Sequence, residues 1–134
     1  MNSSIDIHIN DIDQDTLDYL SELREKIVEL LTFIYYFLSS HNQINALSQY
    51  TDGFIKYLSK VIEPEFNSNI DLIAGVCGLL GDLSNYFKSS ISLYFNQKSL
   101  KIMFDRLDKS SNPQHAEILN FSKQALGFLN QDYN

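Results

Sequence analysis

With 134 residues, 44% apolar and 13% aromatic, and only five glycines and two prolines, the chain has the make-up of one globular helical domain and not of a disordered tail. Its formal charge of -7, with ten basic residues scattered along it, argues against a nucleic-acid partner, which selects clustered lysine and arginine. A single cysteine, Cys77, excludes an intramolecular disulfide and suits a reducing compartment, while the lack of a long apolar run or a basic, hydrophobic leader predicts a soluble intracellular protein without membrane insertion.

Residues 1–12 mix Ser, Asn, Asp and His8 with isolated isoleucines and no helical period, and read as a flexible leader. Asp13 or Asp15 then caps a long helix to about Ser39. Asp15, Asp18, Glu22, Glu25 and Glu29 step by three and four along it, so they share one face, opposite Leu17, Leu20, Leu23, Ile27, Leu30, Leu31, Ile34 and Leu38. Residues 1–30 hold eight acids against Arg24 and Lys26, and a solvated acidic face at the positive end of the helix dipole accounts for that excess without a partner. Beyond Glu29 the helix is apolar nearly all round, and Phe33 and Tyr36, which continue the acidic side, are either covered by an adjoining element, the expected outcome, or available as an aromatic contact next to negative charge.

Residues 39–43 read as a turn. Leu47, Tyr50, Phe54, Tyr57, Leu58 and Val61 then recur at helical steps until Glu63 and Pro64, with Gly53 as a weak point inside. Ser68 is the expected N-cap of the third helix, supported by Asp71.

That third helix is the most informative segment. Ile70, Ile73, Val76, Leu80, Leu83 and Phe87 form one apolar face, while Ala74, Cys77, Gly78 and Gly81 make a smooth flank. Three glycines, Gly75, Gly78 and Gly81, each cost a helix interior roughly 1 kcal/mol relative to alanine, so close packing against neighbours must offset them. A break at 88–90, a short turn of helix at 91–95 and an amphipathic helix at 98–109 follow, the last built on Leu100, Met103, Phe104 and Leu107. Asn112 and Pro113 mark the start of a closing helix that runs to about Asn130.

Five substantial helices, short turns and no strand predict an all-α fold. Successive helices should pack as antiparallel neighbours, as a stacked α-α superhelix or as a compact bundle.

Catalytic chemistry finds little support. His8, His41 and His115 fall in the leader, a turn and a helix start, without zinc-site spacing, and are expected to be ordinary surface histidines. Asp82 has no partner acid or histidine nearby in sequence, so a capping or inter-helix hydrogen bond is its better reading, and no serine stands beside a placeable base. No enzyme activity, metal or cofactor is expected.

Two motifs carry a family likeness: Asp18-Tyr19-Leu20-Ser21-Glu22-Leu23-Arg24-Glu25 on the first helix and Gly78-Leu79-Leu80-Gly81-Asp82-Leu83 on the third. With them, in order and spacing, the chain resembles the C-terminal end of importin-β, the karyopherin built of HEAT repeats, over about residues 16–130. The likeness implies a solenoid fragment of terminal HEAT repeats at 13–134, with helix pairs at 13–63 and 68–109 and a closing helix at 113–130. It further implies a nuclear import receptor moving between cytoplasm and nucleus. Such a receptor binds the basic importin-β-binding segment of importin-α, or basic cargo, and meets nucleoporins and Ran-GTP through its full length.

In HEAT arrays the second helix of each pair lines the concave, adaptor-binding side. That implies Glu63, Asp105 and Asp108 as partner-binding acids, with Phe121 standing where the family places a tryptophan against the adaptor. The acidic stripe of the first helix would face the convex side and take no part. The competing expectation is a stand-alone helical scaffold for protein-protein interaction, whose apolar face meets another helix.

Overall fold

A computed structural model describes residues 13–63 and 69–131. The leader read at 1–12, Pro64 as a helix stop and Ser68 as a cap lie outside the described residues. The described residues form helices joined by turns, with no strand among them, arranged as a fragment of a helical-repeat solenoid: α1 (Gln14–Ser40), a 3-10 helix (Ile44–Tyr50), α2 (Thr51–Ile62), α3 (Ile70–Leu83), α4 (Lys88–Tyr94), α5 (Gln97–Asp108), α6 (Pro113–Ala125) and α7 (Phe128–Gln131).

Helix ends follow side-chain chemistry. The Asp13 carboxylate accepts from the Thr16 amide at 2.8 Å, a bond that also holds its carboxyl below the usual range. At the other end of α1, Asn42 takes a left-handed φ of 57°, and the Gln43 amide reaches back to the Leu38 carbonyl at 2.7 Å. This is a Schellman closure, with asparagine in the place glycine usually fills. Asn96 accepts from the Ser99 amide, and Asn112 from the Gln114 amide ahead of Pro113. The cap of α3 is Asn69, one residue beyond the expected Ser68: its Oδ1 accepts from the Leu72 amide, while its Nδ2 donates to Ser21 Oγ on α1.

Three further boundaries differ from expectation. The helix expected from Leu47 is split, because Ser48 Oγ donates to the Asn45 carbonyl and Thr51 Oγ1 to the Leu47 carbonyl, and these local bonds favour a tighter 3-10 turn before α2. Residues 88–90, expected as a break, begin α4; the turn comes earlier, where Ser84 Oγ donates to the Gly81 carbonyl and the Tyr86 and Phe87 amides close on Leu83. The closing helix stops at Ala125, turns at 126–127 and resumes as α7.

α3 is the hub, flanked by α1 and α6 and touched as well by α2 and α5; α1 meets the second segment at the 3-10 helix rather than along α2. Leu72, Ile73, Leu79, Leu80 and Leu83 are fully buried, and Cys77 sits among them against Met103, its thiol pushed up to about 12 by burial. Two of the three glycines earn their place by close approach. A Cβ at Gly75 would stand 3.3 Å from Val28 Cγ1 of α1, and one at Gly81 only 2.5 Å from Phe121 Cε2 of α6. Gly78 departs from the expectation, since a Cβ there meets nothing closer than Ile118 Cγ2 at 3.9 Å, ordinary contact.

Candidate partner-binding groove

Small residues on α3 let α1 and α6 come down on the same helix while leaving space between them. The result is a groove of about 780 Å³. Its floor is a stripe of α3 at helical steps, Asp71, Gly75, Gly78 and Asp82; α1 contributes Glu25, Glu29, Phe33 and Tyr36, and α6 contributes Ile118 and Phe121. Four carboxylates and three aromatic rings therefore share one concavity, and no lysine or arginine lines it. Phe33 and Tyr36, expected to be covered, are 72% and 54% exposed. Among the described residues no helix packs over that part of α1, so the rings stand open at the groove.

Asp82 ties the floor to the wall. Its Oδ2 accepts from the Tyr36 hydroxyl at 3.0 Å and its backbone carbonyl from the Tyr35 hydroxyl at 3.3 Å, which fulfils the expectation of an inter-helix hydrogen bond. Partial burial raises the Asp82 carboxyl above its ordinary range, with the Tyr36 bond opposing, and burial likewise raises the Tyr36 hydroxyl. A raised folded-state value means that this group's contribution to stability is full below the unfolded carboxylate range and is lost as pH rises through its own range. Asp82→Asn keeps an acceptor for Tyr36 but removes the buried charge. It should be at least as stable as wild type near neutrality and lose that advantage by about pH 4, as read from urea midpoints at the two pH values.

At the other end of the floor stands a residue whose role the sequence concealed. His115, expected on the surface, is 5% exposed. Its Nδ1 lies 2.7 Å from Ser110 Oγ and its Nε2 3.2 Å from Asp71 Oδ1, and Ser110 Oγ also accepts from the Asn112 amide. With the neutral imidazole protonated on Nε2, each member of this chain donates to the next, from the Asn112 amide through Ser110 and His115 to Asp71. The order is Ser, His, Asp. Yet Ser110 does not line the groove, and the relay reads as a tie between the start of α6 and the start of α3. Only the contact between 71 and 115 could have revealed it, and nothing in sequence brings them together. His41 is exposed and stacks on Phe37; His8 lies outside the described residues.

The four residues singled out from the family likeness are not gathered into one site. Glu63 is exposed at the end of α2, in a cleft of about 410 Å³ shared with Lys60, Tyr94 and Lys98. Asp105 and Asp108 lie on α5 in a second cleft, of about 700 Å³, among Lys98, Lys101 and Lys123. Only Phe121 reaches the acidic groove. Conversely Glu25 and Glu29, set aside in sequence as part of a solvated convex face, line that groove; Glu29 also pairs with Lys26 at 3.4 Å on the exposed side. Among the described residues no three His, Cys, Asp or Glu side chains come together to hold a metal ion, and no helix is long and apolar enough to cross a membrane.

Comparison with known families places this architecture. The family model described as importin subunit beta-1-like, TPR repeats, matches residues 2–107, which spans α1 to all but the last residue of α5 and leaves α6 with Phe121 beyond its end. No curated protein and no solved structure gives a match. TPR and HEAT repeats are both stacked helix pairs, and the all-helical array seen here is of that kind. The family match covers well over half of the sequence, and the chain belongs to the importin subunit beta-1-like TPR-repeat family.

Proposed function

We propose that the chain is the C-terminal, adaptor-binding portion of an importin-β-type nuclear transport receptor, shuttling between cytoplasm and nucleus, and that it works by binding and not by catalysis. Its partner in this reading is a basic segment, that of importin-α or of a cargo, and the groove between α1 and α6 receives it. The carrying observation is the composition of that groove: Glu25, Glu29, Asp71 and Asp82 supply charge-assisted bonds to lysine and arginine, and Phe33, Tyr36 and Phe121 supply faces on which their stems and guanidinium planes stack. The clefts holding Glu63 and Asp105 with Asp108 support such a partner less well, because lysines share them.

Fluorescence anisotropy with a labelled lysine- and arginine-rich helical peptide tests the reading. Binding should weaken steeply with added salt, and Glu25→Gln with Glu29→Gln should reduce affinity about fivefold, as expected for two partly exposed charges of about 0.5 kcal/mol each. Asp105→Asn with Asp108→Asn should leave it within about twofold. The reverse pattern would move the site to α5, and salt-independent binding would end the electrostatic reading. The alternative of a stand-alone helical interaction scaffold draws support from the uncovered apolar side of α1, where Leu30 is 58% and Phe37 61% exposed.

A further inference from the structure

The cleft of about 410 Å³ that holds Glu63 lies where α2 meets α4 and α5, and it shares no lining residue with the acidic groove. Phe95, in the turn between α4 and α5, is extended at φ -120° and buried, and with Ile62 at the end of α2 it makes an apolar floor. Tyr94 and Asn96 on either side of Phe95, Lys98 and Ser99 in the first turn of α5, and Lys60 and Glu63 at the end of α2 form the polar walls. We propose that this cleft seats an aspartate or glutamate side chain from an acidic segment of a partner protein.

Donors outnumber acceptors in those walls. Among the described residues the Lys60 and Lys98 ammoniums form no ion pair, and the Tyr94 hydroxyl and Ser99 Oγ form no hydrogen bond. Asn96 Oδ1 accepts from the Ser99 amide as the cap of α5, so its Nδ2 is the end of the carboxamide left to donate. Two ammoniums, two hydroxyls and one amide therefore line a single concavity. A carboxylate, with two oxygens that accept only, is the side chain that can take bonds from several of them at once, and bonds from ammoniums to it are of the strong, charge-assisted kind. Ile62 and Phe95 beneath suit the methylene stem that carries it.

Charge selects a carboxylate over a phosphoryl group. Two ammoniums against the one Glu63 carboxylate leave the cleft with a net charge of +1, which a single carboxylate neutralises. A phosphoryl group, at about -1.5 to -2, would turn the cleft negative beside Glu63. The charge of -7 on the whole chain opposes an acidic partner only weakly at that point, because exposed charges more than about 8 Å away are largely screened at physiological ionic strength. The walls all come from α2, the turn after α4 and α5, so a further repeat stacked against α1 or against α6 would leave the cleft open. None of these residues lines the groove between α1 and α6, and an acidic segment here does not compete for side chains with a basic segment there.

Fluorescence anisotropy of the 134-residue chain with a labelled glutamate-rich peptide tests the cleft. Lys60→Gln with Lys98→Gln should weaken binding about fivefold, and Tyr94→Phe, which removes a hydroxyl and no charge, about twofold. Glu63→Gln should tighten it about twofold, the opposite of what an acid that holds a basic partner would give. Lys26→Gln with Lys109→Gln takes the same charge from positions that line none of the three clefts described above, and should leave affinity within about 1.5-fold. Lys60, Glu63 and Lys98 are solvent-exposed, so the helical circular-dichroism signal should be unchanged in all of these variants. An absence of binding at millimolar peptide, equal loss in the two lysine pairs, or unaltered affinity in Glu63→Gln would each overturn the proposal. A phosphoserine peptide of matched charge that bound about tenfold tighter would overturn it too, and assign the cleft to a phosphoryl group.

Discussion

Leu80→Ala should lower the stability of the chain by about 3 kcal/mol, a large part of the 5–15 kcal/mol that holds a domain of this size together. Leu80 is completely buried on the helix that touches α1, α2, α5 and α6 at once, so no neighbour can relax into the space without disturbing another contact. The loss is therefore the transfer energy of the missing carbons plus the cavity left behind. A drop in melting temperature of roughly 10 °C is the expected reading in a thermal scan. Leu93→Ala provides the control: that side chain is 67% exposed, and its removal should stay within about 0.5 kcal/mol. If the two variants melted alike, α3 would not be the centre of the structure.

How far this centre was legible from sequence depends on the kind of signal. Local chemistry read well: Asp13 and the Asn112-Pro113 pair both start helices, because capping and proline geometry act within a few residues of the chain. The segment with apolar residues on every side and small residues on one flank proved to be the sandwiched helix, since burial from several directions is the circumstance that tolerates glycine in a helix interior. The 3-10 turn before α2 was hidden. Its hydrophobic spacing suits an α-helix, and the decision was made by two hydroxyls bonding to carbonyls one turn back.

The candidate site was legible in its ingredients and not in its assembly. A stripe of five acids and a run of aromatics stood out on α1, but whether they faced water, a neighbour or a cavity depends on where α6 lies, and α6 is some eighty residues away in sequence. For the same reason His115 looked like a surface residue at a helix start. Its burial comes from the approach of α6 to α3, which brings Asp71 to one ring nitrogen while Ser110, five residues away, takes the other. The family likeness directed attention to the second helix of each pair, and the acids found there share their clefts with lysines.

The glycines of α3 give the sharpest test of that assembly, because the same substitution should have opposite signs at two positions three residues apart. Gly78→Ala gains helix propensity of about 1 kcal/mol and meets only ordinary contact, so it should stabilise the protein by roughly 0.5–1 kcal/mol. Gly81→Ala gains the same propensity but drives its methyl into the Phe121 ring, 2.5 Å from Cε2. The ring, 43% exposed, must leave its seat toward the groove, giving up the contact that locks α6 to α3. A net loss of about 1–2 kcal/mol is expected, and Gly81→Val should lose about 3, since a branched side chain leaves the ring no partial return. Phe121→Ala in the Gly81→Ala background should recover most of the propensity gain, with a coupling energy between the two sites of about 1–2 kcal/mol in a double-mutant cycle from urea unfolding. The displaced ring also changes the groove without altering any of its charges. Gly81→Ala should therefore weaken the basic peptide while leaving the salt dependence of its binding unchanged, whereas loss of Glu25 and Glu29 flattens that dependence. Equal behaviour of the two alanine variants in stability and binding would mean that α6 does not sit on Gly81, and the groove wall built on that contact would go with it.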